Sequence, residues 1–172
     1  LRRKAGAFGL PGVHLQAIHW QVVPREVGEN LARLGNINMV ELIRDCGFDS
    51  CTNYQMVQAA PGVGPYEEFV RTAISTWQKD DLDVPKFFPH VSIGWDNTHR
   101  NPGEKNAVTG RSPVVFKEAF QEALDFLDAR PDRHRLITVN SWNEWTEDSY
   151  LLPDTEWGYA YLEAIRDTLR SV

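Results

Sequence analysis

Glu144 and Glu147 lie three residues apart in the segment VNSWNEWTEDSY (139–150), among Trp142, Asn143, Trp145 and Tyr150. A pair of carboxyl groups can divide the work of breaking a glycosidic bond. One assists departure of the leaving oxygen, and the other assists attack at the anomeric carbon. Indole rings stack on the C–H faces of sugars, while amides and carboxylates pair with their hydroxyls. Along an extended strand three residues span about 10 Å. A turn at Trp145–Thr146 would bring the two acids to helical i,i+3 distances of about 5–6 Å. Two glutamates at that spacing are also common on solvated helix faces, so the pair gains meaning only from the element that ends beside it.

The elements that must position this segment alternate along the chain. VHLQAIHW (13–20) reads as a strand and NMVELIRDCG (38–47) as a helix. Met39, Leu42, Ile43 and Cys46 give the helix its spacing, Asn38 is its expected N-cap with Glu41 three residues on, and Gly47 suits its end. FDSCTNYQM (48–56) is the second strand, and Pro65 opens a helix through about Lys79 that is lined by Phe69, Ala73 and Trp77. KFFPHVSIGW (86–95) is the third strand, followed by the polar stretch DNTHRNPGEKNAVTG. Ser112 and Pro113 then start a helix with the apolar stripe Phe116, Phe120, Ala123 and Leu127. RLITVNSW (135–142) is the fourth strand. TEWGYAYLEAIRDTL forms a last helix with Tyr161, Leu162, Ile165 and Leu169 on one face.

Strand–helix units in a row predict an α/β fold with parallel pairing, because parallel neighbours need a crossover. Two architectures fit: a small open sheet, or half of a (β/α)8 barrel. Both place ligands at the carboxyl ends of strands. The loops after these strands are long and chemically rich, and those before them are short and plain. A whole barrel takes about 250 residues. The expected fold is therefore four consecutive β-α units, the C-terminal half of a TIM-type barrel (strands five to eight), with residues 1–172 as one incomplete domain. The other half would come from elsewhere in the protein, from another chain or from a homo-oligomer.

On that fold the strand ends converge on one rim. The first offers His19, Trp20 and Gln21, and the second Asn53, Tyr54 and Gln55. The third offers Trp95, Asp96, Asn97, His99 and Arg100, and the fourth Trp142, Asn143, Glu144, Trp145 and Glu147. Aromatic rings, amides, an arginine and carboxylates make a lining for sugars. Asp96 and Arg100 could also pair to close their own loop. Asp154 most simply caps the last helix. His19 and His90 read as hydrogen-bonded strand residues, since no H-E-x-x-H spacing is present.

With 172 residues, 42% of them hydrophobic, and a net charge of −6, the chain has the composition of a globular protein. That charge argues against nucleic acid or an anionic membrane as partner. No apolar run approaches the roughly 20 residues of a bilayer span. No phosphate-binding Gly-rich loop appears, and neither a metal nor another cofactor is expected. Cys46 and Cys51 lack metal-site spacing and are expected as half-buried free thiols. No signal peptide is visible, but LRRKAGAFGLPG reads as the middle of something, which leaves an upstream export signal open.

The stretch WNEWTEDSYLLPDTEWGYAYLEAIR resembles the W-N-E-W-x-E-G-x-x-L-E-P-D…G-Y-A-Y-L-E-A segment of the WbsX-like proteins, relatives of glycoside hydrolase family 99. GWDNTHRNPG (94–103) resembles their G-W-D-N-x-x-R motif. The resemblance spans the whole chain and matches the C-terminal half of a typical member. It implies a (β/α)8 barrel acting on bacterial polysaccharide or other glycans, in the bacterial cytoplasm, or in the envelope or outside if exported. It also implies Glu144 as the base that takes the proton of a sugar 2-hydroxyl and Glu147 as acid/base for the leaving oxygen, through a 1,2-anhydro sugar with retention. Members carry the label of glycosyltransferase as well, which leaves transfer open against hydrolysis, and a non-catalytic glycan-binding protein using the same aromatic rim is the other alternative. Asp148 stands where the pattern has Gly, and Leu152 where it has Glu. Both departures bear on which substrate is bound.

Overall fold

The computed structural model describes residues 1–19, 39–103 and 105–170; for His19, Met39 and Leu42 the description is limited to the backbone. Trp20, Gln21 and Asn38 lie outside the described residues. A short helix α1 (Arg2–Ala7) precedes strand β1 (Gln16–His19). Helix α2 (Met39–Asp45) leads to β2 (Ser50–Asn53). A short strand β3 (Gly64–Pro65) runs into α3 (Tyr66–Asp83). Strands β4 (Phe87–Phe88), β5 (His90–Ser92) and β6 (Val108–Thr109) come before α4 (Pro113–Asp128). Strands β7 (Thr138–Asn140), β8 (Asn143–Glu144) and β9 (Ser149–Tyr150) come before α5 (Ala160–Arg170).

The main strands form two small parallel sheets that follow chain order, β1-β2-β4 and β5-β7. β1 pairs with β2 in the register Gln16↔Ser50 to His19↔Asn53, and β2 pairs with β4 through Cys51↔Phe87 and Thr52↔Phe88. β5 pairs with β7 through His90↔Thr138, Val91↔Val139 and Ser92↔Asn140. Between β4 and β5 stands Pro89, which has no N–H to give a ladder. Its carbonyl still accepts from Thr138 N at 3.1 Å, so Phe87–Ser92 runs as one line broken at one residue. The strands are shorter than the sequence predicts. High β-propensity extends beyond the residues that find a partner, as at 135–137, where Arg135 and Leu136 are exposed.

Two helices start where their caps predict, whereas the last helix, expected from Thr155 behind Asp154, begins only at Ala160. Ser112 Oγ accepts from Val114 N at 3.3 Å and Pro113 takes the first helical position. Pro65 precedes α3, which continues past Lys79 to Asp83. After α2, Phe48 N reaches back to Ile43 O and Gly47 adopts φ 68°, a left-handed exit that favours glycine. Cys46 sits in that exit and is exposed, whereas Cys51 in β2 is buried; the expected half-burial holds for neither thiol.

The core lies between the sheet and α3, α4 and α5. Phe69, Ala73 and Trp77 of α3 meet Phe116, Phe120, Ala123 and Leu127 of α4, with Phe87, Val91 and Ile93 from the strand line. Phe126 packs edge-on against Trp77 and Phe87, at centroid distances of 5.7 and 6.1 Å. The last helix is rotated from its expected facing. It buries Tyr161, Ala164 and Thr168, while Leu169 is 53% exposed and Leu162 and Ile165 are half-buried. Thr168 can be buried because its hydroxyl donates to Ala164 O at 2.8 Å. Leu169 instead lines an open groove with Phe120, Leu124, Leu136 and Ile137. Among the described residues no helix is long and apolar enough to cross a membrane.

Candidate active site

The segment after β7 folds back on itself. β8 pairs antiparallel with β9 (Asn143↔Tyr150, Glu144↔Ser149), and Trp145–Glu147 forms a 3-10 turn between them. Ser141 Oγ accepts from Glu144 N at 3.0 Å and donates to Ser149 O at 2.8 Å, which sets the mouth of this hairpin. Asp148 closes the turn at φ 48°, in the left-handed region that aspartate tolerates better than most residues. The Asp148 side chain pairs with Arg111 at 3.2 Å. Arg111 also donates to the Tyr150 hydroxyl at 2.7 Å and lies near Asp154 and Glu156, so it clamps the hairpin to the segment before α4.

The 3-10 turn brings the two glutamates onto one guanidinium. Arg100 Nη1 donates to Glu147 Oε1 at 2.7 Å, and Nη2 lies 3.0 Å from Glu144 Oε1. Arg100 Nε donates to Thr146 Oγ1 at 2.8 Å, and that hydroxyl donates on to Glu144 Oε1 at 2.6 Å. The loop that carries Arg100 is tied down by Asp96 N donating to Glu147 O at 2.8 Å, with Asn97 N on Asn106 O and Val108 N on Trp95 O.

The two carboxyl groups sit in different surroundings. Glu147 is buried, 5% exposed, and also accepts from Gln55 Nε2 at 3.0 Å. Burial pushes its carboxyl above the ordinary range, against the pull of Arg100 and Gln55, and the Glu144 charge adds to the rise. The Thr146 hydroxyl, and after it the Arg100 charge, hold Glu144 below the ordinary range. Tyr54, 36% exposed, has its phenol raised by burial and then by the charges of Glu147 and Glu144. Carboxyl groups driven in opposite directions are the arrangement that acid–base division of labour needs.

The sequence model of the family described as Glycosyltransferase WbsX matches residues 15–165. The chain belongs to the WbsX family. The uncharacterized protein WxcX of Xanthomonas campestris pv. campestris, in two strains, is 30% identical over 139 residues, covering 73% of this chain and 20% of that protein. A solved glycoside hydrolase-like protein superposes with a TM-score of 0.56 at 12% identity, over 97% of this chain and 47% of that one. The GH99 endo-alpha-mannosidase from Bacteroides thetaiotaomicron, solved with BIS-TRIS-propane, superposes with a TM-score of 0.51 at 19% identity, over 76% of this chain and 42% of that one. At these identities the likeness is one of fold. This WbsX-family chain spans a fifth of the length of the curated relatives and less than half of each solved structure.

Other residues expected at the rim fall into distinct places. Trp142 and Trp145 are exposed, at 57% and 50%, and Trp145 lies against the Tyr150 ring with centroids 4.0 Å apart. Tyr150 itself is buried, its hydroxyl accepting from Arg111 and donating to Asp154 at 3.0 Å, so it props Trp145 from behind. Asn143 is exposed on β8, and Asn53 is buried at the end of β2. Trp95 is half-buried against the core, and a Cβ at Gly62 would meet its indole at 2.8 Å. Asp96 does not pair with Arg100. The chain turns at Asn97, whose carbonyl accepts from Arg100 N and Asn101 N, so Asp96 meets Thr98 and His99 while Arg100 is turned toward the glutamates. Asn97 sits in that turn. His19 is described by its backbone, and Trp20 lies outside the described residues. Asp154 caps a turn ahead of α5, accepting from Glu156 N and Trp157 N. Gln55, expected on the rim, and Thr146 each touch one of the acids directly; nothing in the spacing of Thr146 separates it from ordinary polar loop residues.

Proposed function

We propose that this chain carries the catalytic carboxylates of a glycan-active enzyme, a retaining glycoside hydrolase that cuts within a mannose-like or bacterial polysaccharide. The observation that carries the reading is the pair Glu144 and Glu147 on one guanidinium, with the buried member raised and the open member lowered. In the proposed first step the ionised Glu144 takes the proton of the sugar 2-hydroxyl as O2 attacks C1. Glu147 gives its proton to the departing glycosidic oxygen, and a 1,2-anhydro sugar is left. In the second step water attacks C1, Glu147 takes its proton, and Glu144 returns the first proton to O2. Exposed Trp142 and Trp145 offer stacking faces for neighbouring sugars.

The same reading places β1, β2, the β4–β5 line and β7 as strands five to eight of a (β/α)8 barrel. Their parallel pairing in chain order supports this, since a doubly wound sheet reverses order at a switch point. So does Ile18, 58% exposed in β1, an apolar strand residue with room for further structure over it. The remaining strands would come from elsewhere in the protein or from a second copy.

Glu144→Gln and Glu147→Gln in the intact protein are each expected to lower turnover of oligosaccharide by roughly 100- to 10,000-fold while binding persists, read by reducing-end release and calorimetry. Undiminished turnover in both variants would refute the reading. Glycosyl transfer is the second reading, favoured by the family's description. A sugar hydroxyl in place of water in the second step gives transfer with the same two acids. Product analysis with and without added acceptor sugar separates the two, and tight binding of a sugar nucleotide would point to a donor that the hydrolytic scheme does not use.

A further inference from the structure

A run of buried and half-buried polar side chains leads away from Glu147 along the strands. Gln55 is 1% exposed; its Nε2 donates to Glu147 Oε2 at 3.0 Å, and its Oε1 accepts from Ser92 Oγ at 3.0 Å. Ser92 Oγ also accepts from Met56 N at 2.9 Å and lies 3.2 Å from His90 Nε2. His90 Nδ1 lies 2.9 Å from Thr138 Oγ1, which lies 2.9 Å from Thr52 Oγ1.

The direction of these bonds follows from counting hydrogens. A serine hydroxyl has one proton. Ser92 gives it to Gln55, so it must accept from His90, and the ring hydrogen sits on Nε2. Burial pushes the pKa of His90 down to about 3, so the ring is neutral with a lone pair on Nδ1. Thr138 therefore donates to Nδ1 and accepts from Thr52. Every link donates toward Glu147. A flipped Gln55 amide would set oxygen against the ionised carboxylate and would require every hydroxyl and ring hydrogen behind it to reverse.

We propose that Gln55 is a positioning residue for Glu147: the chain behind it fixes the amide so that Nε2 always meets Oε2, and the exchangeable proton of Glu147 is confined to Oε1, the oxygen beside Arg100. Its catalytic consequence rests on the reading of Glu147 as the acid. The charged and titratable groups facing Glu147 are Arg100 from the loop after β5, Glu144 from β8 and Tyr54 from the loop after β2.

The test uses Gln55→Met, which keeps the volume and removes the donor, and Ser92→Ala, which frees the amide to turn. In the intact protein, 13C NMR of carboxyl-labelled glutamate follows Glu147, whose resonance is assigned by its loss in Glu147→Gln. Gln55 stabilises the ionised form, so Gln55→Met is expected to raise the Glu147 pKa by about one unit, because the carboxylate loses a hydrogen-bond donor. Ser92→Ala shifts it the same way and less. The alkaline limb of kcat/KM moves to higher pH with it. Folded variants in which Glu147 titrates as in the parent would overturn the positioning role, and so would a fall in thermal stability with no movement of the pKa. A parent protein that turns over no glycan would instead refute the proposed function and leave the NMR comparison intact.

Discussion

Glu147 holds a carboxyl group whose charged form is disfavoured by burial. Its pKa is raised in the fold, so the folded protein binds its proton more tightly than the unfolded chain does. The stability linked to that proton is fully present below the unfolded pKa and is lost as pH rises through the folded one. Glu147→Gln stays neutral throughout. Its melting temperature, relative to the parent, is therefore expected to gain more at pH 8 than at pH 4, by calorimetry or fluorescence. An equal difference at both pH values would show that Arg100 fully compensates the buried charge. A variant that is more stable and less active has the signature of a functional site. The pair and Arg100 were legible in the sequence because motifs mark them. Which partner Arg100 takes was not, because a four-residue separation from Asp96 predicts a local pair until the turn at Asn97 redirects the side chain.

At the scale of elements, the site depends on a close backbone approach between two loops. An added Cβ at Gly94 would stand 2.7 Å from Asp148 O, and a backbone atom cannot yield as a side-chain tip can. Gly94→Ala is expected to push the 3-10 turn outward, to cost about 1–3 kcal/mol in denaturant unfolding, and to reduce activity beyond what the stability loss explains. Full activity with parental stability would mean that the turn relaxes freely. Ser112 with Pro113, and Pro65 before α3, announced their helices, because caps are local chemistry. The facing of α5 was not announced. Counting apolar residues favoured Leu162 and Leu169, yet a hydrogen-bonded Thr168 could turn inward in place of Leu169. The strand lengths failed for a related reason: propensity belongs to a residue, whereas a ladder needs a neighbour.

At the scale of the whole molecule, β1 and β7 pair on one side among the described residues, and apolar side chains lie open beside them. Ile18 in β1, Leu136 before β7 and Leu169 on α5 are exposed at 58%, 38% and 53%. Open edges invite pairing with other chains. Residues 1–172 prepared alone are expected to associate or to unfold at mild denaturant, seen by light scattering over a range of concentrations. A monodisperse, cooperatively unfolding monomer would contradict this. Chain order within the sheet was legible from the strand–helix alternation.

The bond from Asp96 N to Glu147 O, with Arg100 reaching across the same gap, joins stretches of chain some fifty residues apart into one mechanical part. Grafts between distant relatives should respect that seam. A hybrid that exchanges 94–103 and leaves 139–150 behind is expected to lose more function than one that moves both together, and the double exchange should restore much of what either single one removes.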